Sequence, residues 1–233
     1  MHMTKSWGVV IVAAGRGSRM KTSESKQFLL LQDKPIFIHT LEVFSRMPMI
    51  KDIVVVTGAT DVERCEEWIK QTGLYDHRTR VVEGGKERQE SVYAGLQMLS
   101  TDYVLIHDGV RPFVQSEHIE ACMKAAALSG AAVLAVPVKD TIKQVSAEGI
   151  ITATPDRSSL WSIQTPQAFR LLEVIEAHKQ AAESGFAGTD DAMLVERLGG
   201  QVKVVEGSYT NIKITTPEDL DYAAFMQKRE REQ

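Results

Sequence analysis

Cysteine is scarce. Only Cys65 and Cys122 occur in 233 residues, too far apart in sequence to form a metal-type pair. No C-x-x-C or H-E-x-x-H spacing is present, which removes the common zinc motifs. Both cysteines fall in helix-like segments and read as reduced thiols of a cytoplasmic protein. Long apolar runs are also missing. The longest uncharged stretch, 125–138, is broken by Gly130 and Pro137 and is too short to cross a bilayer, so no membrane association is expected. Residues 6–15 resemble the apolar part of a signal peptide, but the basic loop after them has no cleavage-site character. Excess positive charge is absent as well. A formal net charge of −4 argues against wrapping nucleic acid, so any basic site must be local. There is no nucleophile elbow G-x-S-x-G, which disfavours acyl transfer, and there are no repeats or low-complexity tracts.

One local basic site is conspicuous. After the apolar run at 7–12 (WGVVIV), which reads as a buried strand, comes Ala13-Ala14-Gly15-Arg16-Gly17-Ser18-Arg19-Met20, continuing to Lys26-Gln27. Small residues bring bare backbone close to a ligand, and Arg16, Arg19, Lys21 and Lys26 stand against one acid, Glu24. Backbone amides with clustered cations suit a polyanion such as a triphosphate. The loop fails two familiar patterns. A dinucleotide fingerprint needs a third glycine where Met20 stands, and a Walker A loop needs Gly-Lys-Ser/Thr there. A mobile loop with solvated charges is the plain alternative.

Downstream, strands and helices alternate. Helical patterning covers 35–47, 61–71 (Asp61 as N-cap, Gly73 as stop), 87–99 and 116–127 (Ser116 as cap). Strands are expected at 52–58, 80–83, 103–107 and 131–138. This rhythm predicts right-handed β-α-β units in a single α/β domain whose mainly parallel sheet is covered by helices on both faces. From 139 to 159 the pattern alternates around Glu148-Gly149 as a hairpin does. A two-stranded arm cannot bury a face alone, so it is expected to pack on a second copy of the chain; a flap over its own subunit is the alternative. The remainder reads as a helix at 168–183, a helix at 190–198 capped by Thr189, strands at 202–206 and 211–214, and a last helix from Pro217 to 227.

Parallel sheets gather ligands at the carboxyl ends of their strands. There the sequence supplies the basic loop, Gly84-Gly85 with Ser91, Asp108 with Arg111, then Lys139, Asp140 and Thr141, and late in the chain Lys213. Each has a plainer reading: Asp108 closing a turn, Lys213 solvated on a strand, Arg157 on the surface, His107 as packing. Together, several cations and one carboxylate suit phosphoryl or nucleotidyl transfer, where the protein chiefly positions and stabilises charge.

The blocks AAGRGSRM…SKQF, GGKERQESV, HDGVRPF, VPVKDTI, LWSIQTPQAF, GTDDA and EGSYTNIKIT resemble, in order from about Gly8 to Leu220, the bacterial 2-C-methyl-D-erythritol 4-phosphate cytidylyltransferases. The resemblance implies a Rossmann-like nucleotidyltransferase fold and a homodimer joined by a β-arm. It also implies a magnesium-dependent reaction in isoprenoid precursor synthesis, in which CTP and methylerythritol phosphate give CDP-methylerythritol and pyrophosphate. It further implies that Arg19 and Lys26 stabilise the transition state and that Ala13, Ala14, Gly15 and Gly17 line the nucleotide. Gly85 and Ser91 would contact cytosine, and Asp108, beside Gly109, would serve nucleotide, substrate and metal. Lys213 would position the substrate phosphate, with Arg111, Thr165 and Thr189 also at the substrate. Thr141 and Arg157 would reach the site of the neighbouring subunit, with Arg157 in a catalytic role. Lys86 stands where some members carry Asp, and Gly109-Val110 replaces Ala-Ala. A ribitol-5-phosphate cytidylyltransferase shares scaffold, CTP and attacking phosphate. A catalytically silent nucleotide-sensing module is the reading from a different class, and a dehydrogenase is weakened by Met20.

Overall fold

The computed structural model describes residues 5–15 and 24–231; Arg16, Gly17, Arg19 and Lys21 of the basic loop lie outside them. The chain opens with β1 (Trp7–Ala13), then a short hairpin of β2 (Leu30–Leu31) and β3 (Lys34–Pro35). There follow α1 (Ile36–Ser45), β4 (Ile50–Thr57), α2 (Val62–Gln71), β5 (Thr79–Glu83), α3 (Arg88–Leu96), β6 (Tyr103–Asp108), α4 (Ser116–Ser129) and β7 (Ala131–Pro137). The second half comprises β8 (Gln144–Val145), β9 (Ile151–Ala153), β10 (Trp161–Arg170), α5 (Leu171–Glu183), α6 (Asp191–Arg197), β11 (Lys203–Glu206) and α7 (Pro217–Arg231).

Seven strands form one sheet in the order β11-β7-β10-β6-β1-β4-β5. Pairings β1–β4, β1–β6, β4–β5 and β7–β11 are parallel, while β10 runs antiparallel to both its neighbours. The central strands are continuous β-branched or aliphatic runs because both faces are covered. On β1, Val9, Ile11 and Ala13 face one core with Phe37, Leu41 and Phe44 of α1 and Ile119 of α4. Val10 faces the other, with Val92 and Leu96 of α3 and Val174 and Ala177 of α5. Each such buried aliphatic contributes roughly 1.5–3 kcal/mol, so the two layers carry most of the favourable free energy. Helix α3 lies flush on the sheet: a Cβ on Gly95 would come within 2.6 Å of Val10 and 2.8 Å of Val56. A third apolar cluster joins Leu31 and Ile36 to Val110, Phe113 and Ile214 and to Ala223 and Met226 of α7.

Several expectations need correction. Residues 168–170 belong to β10 and α5 starts only at Leu171, because Ala168 and Phe169 pair with β6 and β7 and sit fully inside. Thr189 does not cap α6; Asp190 does, its carboxylate accepting from the amide of Met193 at 2.9 Å. Ser116 is the first helical residue of α4 and the cap position is Gln115, with no side-chain cap there or at Asp61. Residues 211–214 are not a strand: side chains and three backbone bonds hold them, with no sheet ladder. The arm does fold as a hairpin, β8 against β9, with Gly149 at a φ of 81° in its turn.

Candidate active site

Strands β4 and β5 lie to one side of β1, and the next strand in sequence, β6, lies on the other. A crevice at such a reversal, outside the carboxyl ends of the strands, is where open α/β sheets bind ligands. A cavity of about 1090 Å³ opens there, over the ends of β1, β4, β5 and β6.

Its floor is backbone. Ala13, Ala14 and Gly15 continue β1 past the sheet edge, and a Cβ on Gly15 would lie 3.9 Å from the Cε of Lys26, which lines the same cavity. After β5 the chain turns through Gly84 and Gly85 into α3. A Cβ on Gly84 would sit 2.6 Å from the hydroxyl oxygen of Ser91 and 3.0 Å from the Cβ of Ala14, so only glycine lets α3 close against the β1 loop. Ser91 donates to the carbonyl of Glu87 at 3.0 Å, and the amide of Lys86 donates to the Glu90 carboxylate at 2.7 Å.

The charged wall centres on Asp108, the last residue of β6. Its Oδ2 accepts the ammonium of Lys213 at 2.9 Å and the Nε of Arg111 at 3.4 Å, and its Oδ1 lies 3.5 Å from the Nε of Arg88. Burial alone pushes the Asp108 carboxyl up. Lys213, Arg88 and Arg111 outweigh that and hold it well below the usual carboxylate range. Arg88 reaches further, to Asp191 at 2.8 Å, and Asp191 accepts from the Nε2 of His178 at 3.1 Å. Burial works against the charge of Arg88, but Asp191 and Asp108 together raise its pKa above its ordinary value. Burial likewise opposes the Asp191 charge, and Arg88 and His178 hold that carboxyl below its ordinary value. Buried ions need such partners, since an unpaired one costs several kcal/mol.

Asp108 is also fixed through its backbone. Its amide donates to the hydroxyl of Thr165 at 3.0 Å, and that hydroxyl donates to the Nδ1 of His107 at 3.1 Å. The Nε2 of His107 donates to the carbonyl of Arg111 at 3.2 Å, so the partners assign the neutral Nε2–H tautomer. Burial pushes the pKa of His107 down to about 4, consistent with that form.

Of the residues singled out in the sequence, the cavity brings together Ala13, Ala14, Gly15, Lys26, Gly85, Ser91, Asp108 and Lys213. Gly109, Arg111 and Thr165 stand behind its wall as supports. Gly109 donates its amide to Val12 and accepts from Thr40, and Arg111 donates to the carbonyl of Asn211 at 2.6 Å. Thr189 is exposed and its hydroxyl approaches the sulfur of Met193. Thr141 and Arg157 are exposed on the arm and are not among the residues lining the cavity, with Arg157 donating to the carbonyl of Lys139 at 2.7 Å. Gly17 and Arg19 lie outside the described residues. Sequence reasoning missed Arg88, Asp191 and Asn211. Arg88 sits inside the GGKERQESV block, but its two carboxylate partners are 20 and 103 residues away, so no spacing rule reveals it.

The model of the 2-C-methyl-D-erythritol 4-phosphate cytidylyltransferase family matches residues 8–229. A protein of that name from Desulforamulus reducens is 50% identical over 223 residues, covering 94% of this chain and 95% of the relative. Another of that name, from Bacillus velezensis, is 51% identical over 225 residues, covering 95% and 96%. The crystal structure of a 4-diphosphocytidyl-2C-methyl-D-erythritol synthase from Anaerococcus prevotii superimposes with a TM-score of 0.85 at 33% identity, covering 96% of each chain. With a nucleotidyltransferase-type α/β sheet, a backbone-floored cavity at its switch point and this breadth of likeness, the chain belongs to the 2-C-methyl-D-erythritol 4-phosphate cytidylyltransferase family.

Proposed function

We propose that the cavity over β1, β4 and β5 holds CTP, and that methylerythritol phosphate docks beside Asp108 and Lys213, so that this chain performs its family's cytidylyl transfer there. The observation that carries the reading is the convergence on Asp108 of Lys213, Arg111 and Arg88 at the rim of a cavity that Lys26 also lines. Four cations, Lys26, Lys86, Arg88 and Lys213, line the cavity beside four carboxylates, Glu83, Glu87, Glu90 and Asp108, so the positive charge that offsets two mutually repelling phosphates is local, at Lys26 and Lys213.

In the reaction an oxygen of the methylerythritol phosphate forms a bond to the α-phosphorus of CTP, and the bond to the pyrophosphate oxygen breaks. A phosphate monoester is already a competent nucleophile near neutral pH, so no strong general base is required. Lys213 holds the attacking phosphate, with Arg111 fixed behind it. Arg19 and Lys26 stabilise charge gathering on the leaving group. Gly85 and Ser91, which line the cavity, would contact the pyrimidine. Asp108, a hard oxygen donor beside the triphosphate position, suits Mg²⁺. Among the described residues no group of three or more His, Cys, Asp or Glu side chains gathers as a ligand set; Mg²⁺ is commonly held by one or two carboxylates together with substrate phosphates and water. When bound, that ion would neutralise triphosphate charge.

The arm supports a homodimer. Val145, Ile150 and Ile151 are more than half exposed on the hairpin, and Trp161 and Ile163 are partly exposed at its root. Such an apolar strip calls for a partner surface. With Thr141 and Arg157 on that arm, each subunit would complete the other's site. No helix among the described residues is long and apolar enough to cross a membrane. A CTP-consuming reaction and two buried, unpaired thiols support a cytoplasmic setting. Pyrophosphate release tests the reading directly, with CTP, UTP, ATP or GTP offered beside methylerythritol phosphate or ribitol 5-phosphate. The expected result is turnover with CTP and methylerythritol phosphate far above every other pairing. A preference for ribitol phosphate, or CTP binding with no product, would overturn it.

A further inference from the structure

Lys213 lies on a segment that ought to be loose. Residues 211–214 have strand-like patterning yet join no sheet, and the ammonium they carry reaches Asp108 at 2.9 Å. Two anchors flank the lysine. On one side the amide of Ile214 donates to the carbonyl of Val110 at 2.9 Å, and the Ile214 side chain is fully buried in the third apolar cluster. On the other side stands Asn211, 2% exposed. Its side-chain amide donates to the carbonyl of Thr165 at 2.9 Å and to the Oε1 of Gln164 at 3.1 Å.

That carbonyl is available for a reason. The pairing of β10 with β7 shifts register between Ile163 and Gln167, so the bonds expected of a regular ladder lapse there, and Pro166 has no amide to donate. Asn211 thus replaces a missing rung and ties the Lys213 segment to the strand that carries Thr165. The same Thr165 holds the amide of Asp108 through its hydroxyl. Gln164 adds a second tie, donating to the carbonyl of Ser208 at 2.9 Å at the start of the same loop.

We infer that Asn211 is a positioning residue that sets where the Lys213 ammonium stands, and with it the binding of the polyol phosphate. It touches neither substrate nor the reacting atoms. Two donors on one short side chain meet two acceptors, the backbone carbonyl of Thr165 and the side-chain oxygen of Gln164, a geometry that neither alanine nor aspartate reproduces. The inference rests on the role proposed for Lys213. It adds that the lysine's placement is controlled two residues away, from the far side of the wall.

The test is steady-state kinetics of Asn211→Ala, Lys213→Ala and the double variant, with both substrates varied. Asn211→Ser, which keeps one hydroxyl donor, stands in if the alanine variant does not fold. Asn211→Ala is expected to raise KM for the polyol phosphate about 10–100-fold while KM for CTP stays within about 2-fold. In the Lys213→Ala background the same substitution is expected to add less than about 3-fold, because the group it positions is gone. Equal increases in both KM values, no increase, or losses that multiply in the double variant would each overturn the inference. If Lys213→Ala alone leaves the polyol phosphate KM unchanged, the role proposed for Lys213 fails and the inference fails with it. A damaged Lys213→Ala beside an unaffected Asn211→Ala sinks the inference alone.

Discussion

At the scale of single residues the site depends on charges whose partners are fixed. Lys26 lines the cavity beside Gly15 and is not part of either main core layer, so Lys26→Ala is expected to keep the circular dichroism and melting temperature of the parent. Its turnover should fall about 10²–10³-fold, the ~3–4 kcal/mol lost with one well-aimed donor in other enzymes. Near-normal turnover would remove Lys26 from the mechanism. Two buried groups also make stability depend on pH, in separate windows. His107 titrates near 4 when folded and near ~6.5 when unfolded, so between those values the unfolded chain binds the extra proton. Stability contributed by neutral His107 is therefore complete above about pH 6.5 and declines as pH falls toward 4, by about 3 kcal/mol in total. Asp191 is held below its ordinary value, so its contribution is present above about pH 4 and is lost only on further acidification. Urea unfolding of the wild type and His107→Gln between pH 7.5 and 4.5 checks the first window. The variant's profile should be the flatter, and parallel profiles would contradict the assignment.

At the scale of elements the arm is the part least supported by its own subunit. Val145, Ile150 and Ile151 belong to none of the buried clusters, so replacing Val145 and Ile151 by glutamate should leave the sheet and its two cores intact. If the parent is the dimer proposed, sedimentation should then show a monomer for the variant, and a persisting dimer would remove the arm from the interface. This hairpin was legible in the sequence because alternation about Glu148-Gly149 is a local signal, and the parallel strands were legible because burial on both faces makes them uniformly apolar. Strand β10 was not. Its last residues, Ala168 to Arg170, run without a break into the helical patterning of α5, and only their insertion between β6 and β7 makes them strand. The opposite error occurred at 211–214, where alternating residues suggested a strand and side-chain bonds from Asn211 took the place of a ladder. Of the glycines and cations at strand ends, Gly15, Lys26, Gly85 and Lys213 line the cavity. Arg88 and Asp191 escaped notice because pairing across more than a hundred residues leaves no local pattern.

At the scale of the whole molecule, each half of the proposed chemistry sits in a different place on one chain. Lys26, Asp108 and Lys213 line the cavity, while Arg157 sits at the arm's root and is absent from that cavity's lining. If the arm serves a neighbour, a site is assembled from the Lys26 of one subunit and the Arg157 of the other. That arrangement is distinguishable from a flap over the chain's own cavity by mixing two inactive variants. Lys26→Ala and Arg157→Ala homodimers each carry two defective sites. In a hybrid with arms exchanged, one site receives intact Lys26 from the Arg157→Ala chain and intact Arg157 from its partner, and the other site receives both defects. After the variants are unfolded and refolded together at equal concentration, half the dimers are hybrids. Each hybrid has one sound site, so activity should return to about a quarter of the wild-type value. Were Arg157 used within its own chain, every site in the mixture would still carry one defect, and no activity above that of the separate variants would appear.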